Sequence, residues 1–255
     1  MKYAIGIDIG GTKVEAGIVS EEGFLIQKEK VKSDPSDEEK MFSQVIRCIE
    51  QLMNHCSIPQ TEISGVGVGI PGKVDREEGT AIFQNNLPWK DFPLVDRLRQ
   101  VLSFEHITID NDVYMAAFAE WREAGARDEE LFVYMTISTG ISCSIIKGGE
   151  FIRGAGFAGE VGLIPVLGTD QRQMVRLEQT ASGPALQTQA CQIYADEHLM
   201  TKDLFKKYNR GETKAEHLVH GMISSTAQAL YMINSLLDPH KIVLGGVLPS
   251  ITLFC

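Results

Sequence analysis

The stretch Tyr3-Ala4-Ile5-Gly6-Ile7-Asp8-Ile9-Gly10-Gly11-Thr12-Lys13-Val14-Glu15-Ala16-Gly17-Ile18-Val19 sets a carboxylate and a Gly-Gly-Thr turn between two strand-like runs. That is the layout of a hairpin that grips a phosphate. Two glycines permit positive φ and let backbone N–H groups approach an anion with no Cβ in the way, and Thr12 adds a hydroxyl donor. Asp8 ends the first strand, where a carboxylate can hold a hydrated Mg²⁺. A Rossmann fingerprint would need G-x-G-x-x-G opening a helix, and a P-loop would need G-x-x-x-x-G-K-[ST]. Neither occurs, and residues 14–19 alternate as a strand does. Taken alone, Gly-Gly is equally well explained by an ordinary β-turn, so the rest of the chain must decide.

With 255 residues and 44% hydrophobic content, the chain can bury a sizeable core as one large domain or two smaller ones. A net charge of −10 argues against a nucleic-acid partner or an anionic membrane surface, because the summed field repels polyphosphate. A small phosphate ligand held by local backbone donors is compatible with that field. No basic segment precedes an apolar stretch at the N-terminus and no apolar run reaches roughly 18 residues, so the expectation is a cytoplasmic protein without a membrane span. The five cysteines are odd in number and scattered, which fits reduced thiols. His217 and His220 share a helical face, a spacing that a solvated pair explains.

Residues 24–31 read as a third strand, and residues 38–54 carry apolar side chains at helical spacing. A strand follows over 63–70, where glycine at every second position either admits a packed helix or lets a ligand near the backbone, and Pro71-Gly72 ends it. Residues 89–101 read as a loop and a short helix. A buried strand over 107–110 runs into Asn111-Asp112, and helical periodicity resumes over 113–123. Strands at 131–137 and 143–146 flank a second small-residue turn, Ser138-Thr139-Gly140, so strand, turn, strand recurs and the halves read as a duplication. Helices over 180–197 and 214–237 and a strand over 241–244 complete a mixed α/β pattern.

The residues suited to chemistry are acidic and widely spread. Asp112 follows a strand and opens a helix, where it either caps that helix or faces a ligand at the sheet's C-terminal edge. Phosphoryl transfer to an alcohol needs an acceptor for the hydroxyl proton, donors around the phosphates and usually Mg²⁺. Asp112, the two turns and Asp8 supply those parts. Glu160 and Glu178 lie in glycine-rich or irregular surroundings, where carboxylates can accept hydrogen bonds from several hydroxyls of one sugar.

Taken in order, Asp8-Ile9-Gly10-Gly11-Thr12-Lys13, Gly69-Ile70-Pro71-Gly72, Asn86-Leu87-Pro88, Asn111-Asp112, Ser138-Thr139-Gly140-Ile141, Gly159-Glu160-Val161-Gly162, Leu177-Glu178 with Ala181-Ser182-Gly183, and Ile242-Val243-Leu244-Gly245-Gly246 resemble the ROK family of repressors, open reading frames and kinases. The resemblance implies a two-lobed actin-like ATPase (ribonuclease H-like) α/β fold with mixed sheets flanked by helices and ATP in the cleft. Its lobes would be residues 1–112, with the first phosphate loop, and 113–255, with the second phosphate loop and an adenosine motif. It implies transfer of the γ-phosphate of ATP to a hexose or N-acetylhexosamine with Mg²⁺, Asp112 acting as general base. By the same resemblance Asn86, Asn111, Glu160 and Glu178 would bind the sugar. Gly10, Gly11, Thr12, Lys13, Thr139 and Gly140 would bind phosphate, Gly245 and Gly246 adenosine, and Asp8 the Mg²⁺ through water. A homodimer is the family habit, and no sequence feature here sets the oligomer. A sugar-binding regulator is the alternative reading.

Three departures stand out. Family members follow Glu-x-Gly with histidine and a cysteine-rich loop that hold structural zinc, whereas this chain has Leu163 there and no cysteine over 165–176, so zinc is expected to be absent. Ser142-Cys143-Ser144 replaces the glycines typical beside the second turn, where the added Cβ atoms either crowd the phosphates or stiffen the strand. Gly246 is followed by only a short stretch, 247–255, where relatives continue into a helix beside the adenine pocket.

Overall fold

The computed structural model describes residues 2–84, 86–155, 157–170 and 172–246. It divides into two compact units with the break between Ala116 and Ala117.

The opening motif forms the centre of the first unit. Strands β1 (Tyr3–Ile9) and β2 (Lys13–Ser20) make an antiparallel hairpin extended by β3 (Leu25–Lys32). Helix α1 (Glu38–His55) follows, then β4 (Ile63–Ile70), the short β5 (Lys73–Asp75), β6 (Thr80–Phe83) and β7 (Lys90–Phe92), helix α2 (Leu94–Val101), β8 (Ile107–Asn111) and helix α3 (Asp112–Glu123), within which the break falls. The main sheet has the order β3-β2-β1-β4-β8, with β4 parallel to β1 and β8 parallel to β4. Alternation buries Ile5, Ile7 and Ile9 in one cluster with Met41, Val45, Ile49 and Leu52, the helically spaced apolar stripe of α1. Asp37 starts that helix by accepting the N–H groups of Glu39 (2.9 Å) and Lys40 (3.1 Å).

Of the three inner glycines of β4, Gly65 lies against the His106 carbonyl and Gly69 against the first turn of α3, while Gly67 faces open space. The glycine-rich face therefore serves packing at two positions. The separate β5-β6-β7 sheet corrects the reading of 89–101 as loop and helix, since Lys90–Phe92 pairs with β6. Strands of three and four residues are too short to show an alternation.

The second unit repeats the arrangement. Strands β9 (Leu131–Ile137), β10 (Ile141–Lys147) and β11 (Glu150–Phe151) are antiparallel neighbours, followed by the hairpin β12 (Pro165–Leu167) and β13 (Met174–Arg176), helices α4 (Leu177–Ala181), α5 (Gly183–Tyr194), α6 (Thr201–Tyr208) and α7 (Thr213–Leu237), and β14 (Lys241–Gly245), which pairs parallel to β9. The sheet order β11-β10-β9-β14 mirrors β3-β2-β1-β4, an antiparallel meander with a parallel strand on its other side. A duplicated topology follows directly from this match. The single helix expected over 180–197 is instead two, α4 and α5. Ser182 takes extended backbone (ψ 159°) and its Oγ accepts the Ala185 N–H, so Ser-Gly-Pro starts a new helix rather than continuing one.

Among the described residues no helix is long and apolar enough to cross a membrane. The 247–255 ending lies outside the described residues.

Candidate functional site

In the first unit the hairpin turn is closed from two sides. Gly10 N–H donates to the Lys13 carbonyl at 2.9 Å. Ser33, just past β3, donates its hydroxyl to the Gly10 carbonyl at 2.5 Å and its N–H to the Thr12 carbonyl at 3.1 Å. The N–H groups of Gly11 and Thr12 have no hydrogen-bond partner among the described residues, which leaves two adjacent backbone donors for an anion. Asn86 lies on the same turn: a Cβ on Gly11 would come within 2.7 Å of the Asn86 carbonyl oxygen and 2.9 Å of its Cβ. This close approach is what demands glycine at position 11.

Sheet register carries the acidic residues to neighbouring strand ends, Asp8 pairing with Gly69 and Gly69 with Asp110. Asp8 also faces Glu15 across the hairpin, an unfavourable pairing of like charges. Lys13 relieves it, its Nζ lying 2.6 Å from Glu15 Oε2, with Lys28 at 3.3 Å and Lys30 at 3.8 Å from Oε1. The Lys13 hydrogen bond is the main cause holding the Glu15 carboxyl below its ordinary range. The Lys13 ammonium is therefore engaged by Glu15, and its backbone carbonyl closes the turn.

Asp8 keeps one side toward solvent, yet loss of hydration raises its carboxyl; Lys13 pulls it down and Glu15 pushes it up. Half-buried Asp112 is raised first by loss of hydration, is lowered by the Val113 N–H it accepts at 2.9 Å, and is raised again by the negative charge of Asp8. The two carboxylates thus share one electrostatic environment, with a proton held more readily than on a free aspartate. A raised proton affinity on a carboxyl of this kind suits a proton acceptor.

Asn111 is held from three directions. Its N–H donates to Asp110 Oδ1 (2.8 Å), its Nδ2 to the Gly72 carbonyl (2.9 Å), and its Oδ1 accepts the Val113 N–H (2.9 Å). Asp110 is itself 5% exposed and pairs with Arg76 Nε at 3.1 Å. Sequence reading placed Asp110 only in the strand, missing it as the support for Asn111. The signal was available in an acidic residue at an inward strand position beside Asn-Asp. Ser33 gave none, being 23 residues from the carbonyl it bonds.

In the second unit the turn between β9 and β10 is closed by Ser138 N–H to the Gly140 carbonyl (2.9 Å), and the Thr139 and Gly140 N–H groups have no partner among the described residues. The start of α5 meets it, Gly183 N–H donating to the Ser138 carbonyl at 2.8 Å. Glu178 Oε2 accepts the Ile141 N–H at 3.2 Å, and a Cβ on Gly140 would lie 2.9 Å from that oxygen. Gly246, with φ of +117°, presses on the Ile137 carbonyl at the end of β9, where any Cβ would overlap it. Glu178, Thr139-Gly140 and Gly246 are thereby gathered at one end of the β9–β10 hairpin.

Exposed Glu160 sits on a loop bound to β10, whose Cys143 N–H (2.7 Å) and Ser142 hydroxyl (3.3 Å) both donate to the Gly159 carbonyl. Of the residues in place of glycine, Ser142 therefore adds a side-chain anchor to a backbone bond that any residue at position 143 except proline could make. Burial, with the Glu160 charge adding to it, pushes the Cys143 thiol up to about 12, so this cysteine is a neutral packing group.

In the first unit, two adjacent backbone donors with no partner among the described residues, a glycine that leaves no room for a Cβ, and two carboxyls raised together fit a phosphate with a divalent cation; in the second unit, the Thr139 and Gly140 donors by themselves fit an anion.

Known proteins share this frame. A family model described as the ROK family matches residues 4–252. A glucokinase of Halalkalibacterium halodurans is 24% identical over 96% of this chain and 80% of its own length. An N-acetylmannosamine kinase of Vibrio cholerae is 32% identical over 95% of this chain and 83% of its own. The crystal structure of a ROK family glucokinase from Streptomyces griseus, in complex with glucose and AMPPNP, superposes with a TM-score of 0.77 at 28% identity, covering 96% of this chain and 83% of that one. The motif order, the repeated hairpin topology and a match over nearly the whole length agree, and the chain belongs to the ROK family.

Proposed function

We propose that this protein is an ATP-dependent sugar kinase that transfers the γ-phosphate of ATP to a hydroxyl of a hexose or N-acetylhexosamine. The observation that carries the reading is the raised, half-buried Asp112 beside Asp8, on the same unit as a turn with two unbonded backbone donors. Relatives named glucokinase and N-acetylmannosamine kinase support it.

Asp112 is the base. As the sugar oxygen bonds to the γ-phosphorus and the bond to the bridging oxygen of ADP breaks, the hydroxyl proton passes to the Asp112 carboxylate. Its raised proton affinity matches that role better than an ordinary aspartate would. Asn111, fixed by Asp110, Gly72 and Val113, together with Asn86, Glu160 and Glu178, binds the sugar hydroxyls. Gly10 to Lys13 and Thr139-Gly140 bind phosphate oxygens through backbone N–H groups and hydroxyls. Gly245-Gly246 approaches the adenosine. Asp8 would hold Mg²⁺, whose chemistry when bound would be to neutralise phosphate charge.

The test is ADP release with Mg²⁺-ATP across hexoses and N-acetylhexosamines, with the phosphorylated sugar identified by mass. Sugar-dependent ADP and a monophosphate product are expected. Folded protein that binds a sugar and turns over none would overturn the kinase and favour a sugar-binding regulator.

A further inference from the structure

The β12/β13 hairpin and helix α4 are tied to α5 and α7 by a relay of hydroxyl groups. Thr180 lies on α4, two residues after Glu178, is 2% exposed, and its Oγ1 is 3.1 Å from Thr169 Oγ1 in the hairpin turn. Thr169 donates to Gln189 Oε1 on α5 at 3.0 Å, and Gln189 Nε2 donates back to the carbonyls of Gln179 (3.4 Å) and Thr180 (3.5 Å). From α7, fully buried Ser225 donates to the Leu167 carbonyl at 3.0 Å with its Oγ 3.5 Å from Thr180 Oγ1. Gln228 Oε1 accepts the Leu167 N–H at 2.9 Å. With the Thr169 proton given to Gln189, Thr180 donates to Thr169 and Ser225 to Leu167, so every hydroxyl proton in the relay has an acceptor. Gly221 on α7 makes the room, since a Cβ there would overlap the Thr169 side chain.

We propose that Thr169, Thr180 and Ser225 are positioning residues for Glu178, fixing the carboxylate that the sugar-kinase reading assigns to the substrate. Helix α4 has five residues and cannot hold its own register, because a single helical turn is unstable alone. Its apolar contacts through Leu177 and Ala181 resist separation but not small slips. Directional hydrogen bonds resist slips, and losing one hydroxyl from a buried relay strands its partners. Glu178 is aimed by one further bond, from the Ile141 N–H, so displacement of α4 is read out at that amide.

The experiment uses the full chain with Thr180→Val, Thr180→Ser and Ser225→Ala. Native-state hydrogen exchange is followed at the Ile141 amide, with Val133 in the middle of β9 as internal reference. In parallel, KM is measured for sugar and for ATP. Thr180→Val is expected to speed Ile141 exchange about tenfold and raise the sugar KM about tenfold, with Val133 exchange and the ATP KM within about twofold of wild type. Thr180→Ser restores both. Unchanged Ile141 exchange, or a rise in both KM values together, overturns the proposal. If the native chain phosphorylates no sugar, the sugar-kinase reading fails alone, and Ile141 exchange still decides the relay. Should Thr180→Val not fold, Ser225→Ala carries the same comparison.

Discussion

Asp8 and Asp112 illustrate what the proposed site costs the fold. Both carboxyls are raised above their ordinary values, chiefly by lost hydration. A carboxyl with a higher pKa folded than unfolded binds more protons in the native state, so its charged form destabilises the protein above the folded pKa. That cost is relieved as pH falls from the folded value toward the unfolded one. Asp112→Asn, which keeps an oxygen for the Val113 N–H, should therefore raise Tm by about 2 °C at neutral pH, measured by calorimetry. Because Asp8 raises Asp112, Asp8→Asn should move the Asp112 titration, followed by carboxyl-carbon NMR, to lower pH. An unchanged titration would show that the Asp8 charge does not act on Asp112. At Gly11 the issue is space. Gly11→Ala would displace the Asn86 backbone, and we expect KM for both sugar and ATP to rise about tenfold or more, with the loss in stability within the 1–3 kcal/mol typical of overpacking.

At the scale of elements, the legible parts were those with a period or a cap. Strands β1, β2, β4 and β8 and helices α1 and α7 lie where alternation or helical spacing placed them, and β9 and β10, buried on both faces, lie where short apolar runs placed them. Strands β5 to β7, β12 and β13 were missed because three or four residues show no period. Helix α6, Thr201–Tyr208, was missed as well, its two buried side chains, Leu204 and Phe205, being adjacent. Ser182-Gly183-Pro184 was read as the inside of one helix, although Ser before Gly-Pro is an N-terminal signature. Ser33 reaches the first turn, and Thr180 the β12/β13 hairpin, through tertiary contacts that no local pattern announces, whereas Asp110, next to Asn111 in the chain, was legible. Caps distant from the candidate site give a control. Asp37→Ala should cost about 1 kcal/mol of stability in denaturant melts while leaving both KM values unchanged.

Across the chain, two units of repeated topology each carry a turn whose backbone donors have no partner among the described residues, and the raised aspartate pair lies in the first. A net charge of −10 means that phosphate must be held by local donors, since the overall field opposes it. The central claim is that Asp112 takes the proton from a sugar hydroxyl during phosphoryl transfer. The most direct measurement is kcat for Asp112→Asn against wild type, using the sugar that gives wild-type turnover. The account predicts a fall of about a thousandfold in kcat with the sugar KM within about fivefold and the folded state retained. An Asp112→Asn protein that turns over at the wild-type rate would contradict it.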